Sequence, residues 1–214
     1  MIEDIEFGPK DNSTFVQVLA YLAIAGCVVF FACVVIADII VPDHDWIADT
    51  ISDLGAGKYE FIADMGIYAF STSLIACALM ASHLHFGSTR WSIGIVGLAS
   101  LAQIIFLVGA RNEYGDNDNE GVVIHYYLVY AMGALMTITP WALAEGAATV
   151  AHKFRYILLG IAALWAVSAP IFFILPTKWD GIYERYLGLI AFALVLTLSW
   201  LFIVCVRCGA ANKS

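Results

Sequence analysis

The segment FVQVLAYLAIAGCVVFFACVVIADIIV, residues Phe15–Val41, contains no lysine, arginine or histidine, and its single carboxylate, Asp38, lies close to its end. A helix of about 20 mostly apolar residues is long enough to cross the roughly 30 Å hydrocarbon core of a bilayer. This segment exceeds that length, and it has too few polar side chains for the surface of a soluble protein. We therefore predict that it is a transmembrane helix.

The same pattern recurs along the chain of 214 residues. Five further segments are long and apolar enough to cross a bilayer: Phe61–His83, Trp91–Ala110, Val122–Leu143, Phe154–Leu175 and Tyr186–Cys208. Apolar residues make up 62% of the chain and charged residues 13%, whereas soluble domains have about 45–50% and 25%. The sequence predicts an all-α, polytopic integral membrane bundle of six transmembrane helices over residues 15–208, between cytoplasmic tails at 1–14 and 209–214.

The basic residues predict how the bundle is oriented, because lysine and arginine favour the cytoplasmic side of a membrane. They are more numerous on the side of the amino terminus than on the other side. The first group is Lys10, Arg90, Lys153, Arg155, Arg207 and Lys213, and the second is Lys58, Arg111, Lys178 and Arg185. We expect a multi-pass protein of the cell membrane with both termini in the cytoplasm.

The acidic residues collect in the first, third and fifth connections between the spans, on the predicted outer side. Such a surface attracts cations and repels nucleic acid, although solubility outside the cell explains the same acidity. We expect membrane lipids as partners and no nucleic acid. Another membrane protein or a second copy of the chain stays open as a partner.

The first connection has a pattern of its own. Trp46, Ile47, Ile51 and Leu54 recur at helical spacing, which predicts a short amphipathic helix in the membrane interface. Gly55 and Gly57 follow and are expected to end it. The third connection, from Arg111 to Gly121, is rich in Asn, Asp and Gly and is predicted to be a solvent loop.

Several classes of membrane protein are excluded or disfavoured. Every lysine lies outside the predicted spans, so a retinal-binding rhodopsin is excluded. There is no G-x-x-x-x-G-K phosphate loop and no voltage-sensing run of arginines. The absence of an internal repeat disfavours an inverted-repeat transporter. Glycines within the spans indicate close helix contacts; they are Gly94, Gly97, Gly133, Gly160 and Gly188.

Charged and polar side chains near the apolar boundary are the candidates for a functional site, because such groups are unfavourable there unless they are paired or hydrated. We predict a catalytic trio of Asp53, His125 and Glu184, in which the carboxylate of Asp53 orients the imidazole. Ser52, Asp64 and Arg185 are the predicted ligand-binding residues. The alternative is a salt-bridge network, in which Arg111 and Arg185 neutralise Glu60, Asp64 or Glu184.

A metal site is a further alternative on the same side of the bundle. Zinc sites use three or four converging ligands, commonly histidine, and His44 and His125 are the histidines available there. With Asp53 or Asp64 they could bind a divalent metal and activate a water molecule for hydrolysis. No spacing motif supports this site, and no other cofactor is predicted.

Three short stretches together resemble a known family. They are Ile51-Ser52-Asp53-Leu54-Gly55, His125 early in the fourth span, and Gly181-Ile182-Tyr183-Glu184-Arg185. They resemble the prokaryotic membrane family catalogued as domain of unknown function 998 and are similar, more distantly, to the eukaryotic Frag/DRAM/Sfk proteins, whose first outer loop carries I-S-D-x-G. The resemblance implies six helices and an outer polar site around Ser52, Asp53, His125, Glu184 and Arg185. This chain has Asp64 where that family is expected to have Asn, which makes the implied pocket more acidic.

The leading functional hypothesis is an integral membrane protein whose acidic, outward-facing polar pocket recognises a lipid headgroup or a small polar ligand. The distant relatives, associated with lipid remodelling, favour this by analogy. Hydrolysis of the ligand is left open, so the residues do not decide whether the protein is an enzyme. The alternatives are a non-catalytic accessory or assembly subunit of a larger membrane complex, and a small transporter or channel.

Overall fold

The computed structural model describes residues 13–55, 58–110 and 124–211, with side chains described as far as residue 208. Within these ranges the regular elements are all helical. They are α1 (Ser13–Ile40), α2 (Ile51–Leu54), α3 (Glu60–His83), α4 (Thr89–Ala110), α5 (Ile124–Ala148), α6 (His152–Phe172), a 3₁₀ turn (Thr177–Trp179) and α7 (Asp180–Ala211). Six of the helices are long and apolar enough to cross a membrane. The predicted all-α bundle of six spans is confirmed, whereas the third connection lies outside the described residues.

The last span begins earlier than the hydrophobic pattern indicates, at Asp180 rather than at Tyr186. With 32 residues and a rise of 1.5 Å per residue, α7 is about 48 Å long. It is therefore longer than the roughly 30 Å hydrocarbon core of a bilayer. Its first turns are polar and were not predicted as helix for that reason. They are helical because they pack against the first connection, as described below.

The six spans form a ring in chain order. α1 packs against α3, and α3, α4, α5 and α6 each pack against the next span. α7 packs against both α6 and α1 and so closes the ring, whereas α5 and α7 make little direct contact. The buried apolar side chains form one large cluster that includes Leu74, Leu98, Leu143 and Leu194. The ring is therefore packed through most of its length, but it leaves space between α5 and α7.

The helix predicted in the first connection is present and is shorter than its pattern indicates. It covers Ile51–Leu54, while Trp46 and Ile47 lie in a turn before it. Thr50 has an extended backbone and starts the helix with a capping box, in which its side chain and that of Asp53 accept each other's backbone N–H groups. We call residues 41–55 loop one, and we call the end of the bundle where it lies the acidic end.

Candidate ligand-binding site

The first turn of α7 holds loop one in place through its backbone. The N–H of Gly181 donates to the carbonyl of Ala48 at 3.2 Å, and the N–H of Ile182 donates to the carbonyl of Ile47 at 3.1 Å. The first N–H groups of a helix have no partner within the helix, so the loop one carbonyls satisfy them. A Cβ at residue 181 would overlap the carbonyl oxygen of Asp49. The close approach therefore requires glycine.

Arg185 ties three segments together. Its Nη1 donates to the carbonyls of Asp49 at 3.0 Å and Gly181 at 2.9 Å, and its Nη2 donates to Asp38 Oδ1 at 2.5 Å. The buried imidazole of His44 lies in the same cluster, with Nε2 3.1 Å from Asp38 Oδ1 and 3.3 Å from Arg185 Nη2. The carboxylate that pairs with Arg185 in this cluster is Asp38, at the end of α1, and the predicted pairing of Arg185 with Glu184 or Asp64 stays a prediction.

Two carboxylates predicted to be catalytic bond to loop one, Glu184 from α7 and Asp53 from within the loop. Glu184 accepts the N–H of Ile51 at 2.5 Å and lies 3.5 Å from the hydroxyl of Ser52. Asp53 accepts the N–H of Thr50 at 2.6 Å and the Thr50 hydroxyl at 2.8 Å. Each of these side chains therefore has a structural task at the acidic end. Together with the contacts of residues 181 and 185, they give a physical reason for both motif stretches.

A cavity of about 320 Å³ lies beneath loop one, and all seven helices contribute to its wall. Its polar side chains at the acidic end are Thr50, Ser52, His125 and Glu184. Below them the wall is almost entirely apolar and reaches Met136 on α5. At 1.5 Å per residue, α5 rises about 16 Å between His125 and Met136. The cavity therefore has a polar end under loop one and an apolar body inside the bundle.

Some of the predicted site residues line the cavity and others do not. Ser52, His125 and Glu184 line the cavity, and His125 is buried, with 4% of its surface exposed. Asp53, beside Thr50 in the capping box, does not line the cavity. Asp64 in the second turn of α3, Arg185 and His44 do not line it either. Of the residues implied by the resemblance, three therefore line the cavity, and the other two, Asp53 and Arg185, make the loop one contacts described above.

The metal alternative gains no support from this arrangement. His44 belongs to the Asp38–Arg185 cluster, whereas His125 lines the cavity. Among the residues that the structure describes, no group of three or more His, Cys, Asp or Glu side chains is placed to hold a metal ion. A divalent metal at His44 or His125 therefore stays a prediction.

The apolar body of the cavity was not predicted. Gly133 on α5 and Gly188 on α7 line it, and a Cβ at either position would meet no atom within 4 Å. The glycines of the spans were all interpreted as helix contacts. That interpretation is right for Gly94 and Gly97, where a Cβ would overlap side chains of α5, and it is wrong for Gly133, Gly160 and Gly188.

Fold and cavity together define a polytopic membrane protein with an amphipathic internal site at one end of a six-helix ring. The family described as "Protein of unknown function (DUF998)" matches residues 24–201, and the chain belongs to that family. The matched range includes loop one, His125 and the first turn of α7. Comparison with curated proteins and with solved structures gave no match.

Proposed function

We propose that the protein binds an amphiphile in the cavity, with the polar head at Ser52, His125 and Glu184 and the apolar part between α5 and α7. The observation that carries this proposal is the division of one cavity into a polar end and an apolar body. Ligand pockets commonly measure about 300–1,000 Å³ and are mostly apolar, with a few polar groups that fix orientation. The volume of about 320 Å³ falls within that range.

The open glycines support the same proposal. A helical glycine is less favourable than alanine by roughly 1 kcal/mol, and close packing is the usual reason for keeping one in a span. No protein atom within 4 Å requires glycine at residue 133 or 188. A molecule bound in the cavity and packed against these two positions would explain why they are glycine.

The carboxylates favour a binding role without a chemical step. Glu184 accepts the N–H of Ile51, and Asp53 accepts the N–H and the hydroxyl of Thr50. Glu184 therefore links α7 to loop one over the cavity, and Asp53 shapes loop one from within. We assign no reaction to the site, and binding alone accounts for its features.

Cavity filling tests the proposal. We expect wild-type protein purified in mild detergent to retain an amphiphile that mass spectrometry detects after extraction. Gly188→Leu places a side chain in the open space of the cavity, so we expect this variant to lose the amphiphile. Gly160→Leu is the matched control, because Gly160 is equally open but lies on the exposed surface of α6 and does not line the cavity.

Two results would overturn the proposal. One is the absence of any stoichiometric amphiphile from wild-type protein. The other is retention by Gly188→Leu equal to that of wild type. Thermal unfolding of the variants shows whether each is folded, and Gly133→Leu offers a second filling variant on the opposite wall of the cavity.

We further propose that the acidic end faces outward in the cell membrane and that both termini are cytoplasmic. The excess of lysine and arginine at the other end supports this orientation. In protein without native cysteines, an impermeant thiol reagent applied to intact cells should label Thr177→Cys and not Ser88→Cys. Both positions are exposed, and both should react in permeabilised cells. The reverse pattern would place the polar end of the cavity on the cytoplasmic side.

A further inference from the structure

Among the described side chains that line the cavity, three are exposed on the outside of the bundle. They are Tyr126 with 51% of its surface exposed, Tyr130 with 57% and Phe173 with 50%. The other described lining residues are buried or half-buried. All three exposed residues lie between the first turns of α5 and the end of α6. Among the described residues, this is therefore the thinnest part of the cavity wall.

The wall at this place consists of side chains in contact. The rings of Tyr130 and Phe173 lie 5.2 Å apart between centroids. α6 ends at Phe172, so the chain has already left the helix where Phe173 faces α5. An aromatic side chain can change rotamer without breaking a helical backbone hydrogen bond, so a passage here requires no rearrangement of the helices.

The surface around this place is apolar. Val167 on α6 is 67% exposed and Ile174 just beyond it is 80% exposed, while Tyr127 on α5 is 65% exposed. In a six-span membrane protein, such side chains face lipid, and exposed tyrosines mark the interface between hydrocarbon and water. The thin wall therefore faces the bilayer near its interface at the acidic end.

We propose that the cavity opens sideways into the membrane between α5 and α6, and that Tyr130 and Phe173 form its gate. The inference rests on the proposed function and names the class of ligand: a membrane-resident amphiphile whose apolar chain enters from the leaflet at the acidic end. Loop one, held by Gly181, Glu184 and Arg185, covers the polar end of the same cavity. A water-soluble solute would have to pass that cover.

Trp165 reports on the cavity, because its ring is buried, lines the wall, and is fixed by a hydrogen bond of 3.0 Å to the carbonyl of Gly133. The contribution of Trp165 is obtained by subtracting the emission of Trp165→Phe from that of wild type. The lipid-facing Trp141 and Trp200 are present in both proteins and cancel. Protein freed of bound amphiphile, as verified by mass spectrometry, is reconstituted into nanodiscs of phosphatidylcholine with brominated acyl chains.

We expect brominated lipid to quench Trp165, aqueous acrylamide not to quench it, and Gly188→Leu to abolish the quenching. When brominated vesicles are mixed with unbrominated nanodiscs, the fluorescence of Trp165 should be quenched faster in Tyr130→Ala than in wild type. Tyr156→Ala should not, because Tyr156 is 69% exposed on α6 and does not line the cavity.

Quenching by acrylamide instead of brominated lipid would overturn the sideways opening and show that the cavity opens to water. Quenching by neither would overturn it as well. In either case, an amphiphile retained by wild type and lost from Gly188→Leu would leave the proposed function standing. The two proposals therefore fail separately.

Discussion

The two halves of α5 differ in how closely they pack against the rest of the bundle. Near its carboxyl end, Gly146 lies against the ring of Trp91, where a Cβ would overlap that ring, and α4 and α5 are in close contact. In the amino-terminal half of α5, Gly133 faces the cavity and a Cβ would meet nothing within 4 Å. The same residue type on the same helix therefore closes the bundle in one place and leaves it open in the other.

The ends also differ in what holds them together. At the acidic end the Arg185–Asp38 pair is largely enclosed, with side chains 16% and 20% exposed. At the other end the Arg155–Glu145 pair lies 3.1 Å apart, with side chains 40% and 44% exposed. The acidic end thus combines enclosed polar contacts with a small apolar cluster of loop one, α1 and α3, whereas the closed end relies on the main apolar core.

The largest expected effect comes from breaking the enclosed pair. Arg185→Ala would leave Asp38 without its cation in a partly desolvated site, at a cost of about 3 kcal/mol in unfolding free energy. Arg155→Ala removes an exposed pair and should cost about 1 kcal/mol or less. Thermal unfolding of both variants in the same detergent measures the difference.

Equal losses for the two arginine variants would contradict this part of the comparison. It would mean that Arg185 is solvated in the membrane-embedded protein. Loop one would then lack the firm attachment to α7 that the covered cavity requires.

Replacing the two glycines of α5 by alanine should change stability by an intermediate amount and in opposite directions. Gly146→Ala forces a methyl group against Trp91, which is fully buried and donates to the carbonyl of Ala81 at 2.8 Å. Overpacking of this kind costs about 1–3 kcal/mol. In protein freed of bound amphiphile, Gly133→Ala adds a methyl group in open space and should stabilise the helix by up to about 1 kcal/mol. A loss of stability in Gly133→Ala would show that the space beside it is already closed.

The smallest effect concerns two helix caps. Thr50 caps α2 at the acidic end, and the Ser88 hydroxyl accepts the N–H of Trp91 at 3.0 Å at the start of α4. Replacing either by alanine should cost about 1 kcal/mol. Only Thr50→Ala should speed hydrogen exchange in residues 51–55, because α2 is a single turn, whereas α4 continues for 22 residues. Unchanged exchange in residues 51–55 would show that the contacts with α7 and the apolar packing of Ile51 and Leu54 hold the loop without the cap.

Much of the fold could be predicted, because length and hydrophobicity are enough to identify helices that must satisfy their backbone hydrogen bonds within a bilayer. The start of α7 could not, because Asp180, Glu184 and Arg185 are polar. They are helical through contacts with loop one, which is far away in the sequence. The extra length of α7 is thus a tertiary effect.

The site was predicted in part. Ser52, His125 and Glu184 stood out as polar residues beside apolar spans, and all three line the cavity. Sequence spacing could not show that Asp53 closes a capping box with Thr50. Nor could it distinguish Gly133 from Gly146, since the difference lies in what each glycine faces across the bundle.

If the proposed function is right, an amphiphile occupies the space between α5 and α7. A cryo-EM map of the wild-type protein in lipid nanodiscs tests it most directly. We expect elongated density that starts between Ser52, His125 and Glu184 and continues past Gly133 and Gly188 towards Met136. A cavity closed by repacked side chains, or one containing only separate water molecules, would contradict it.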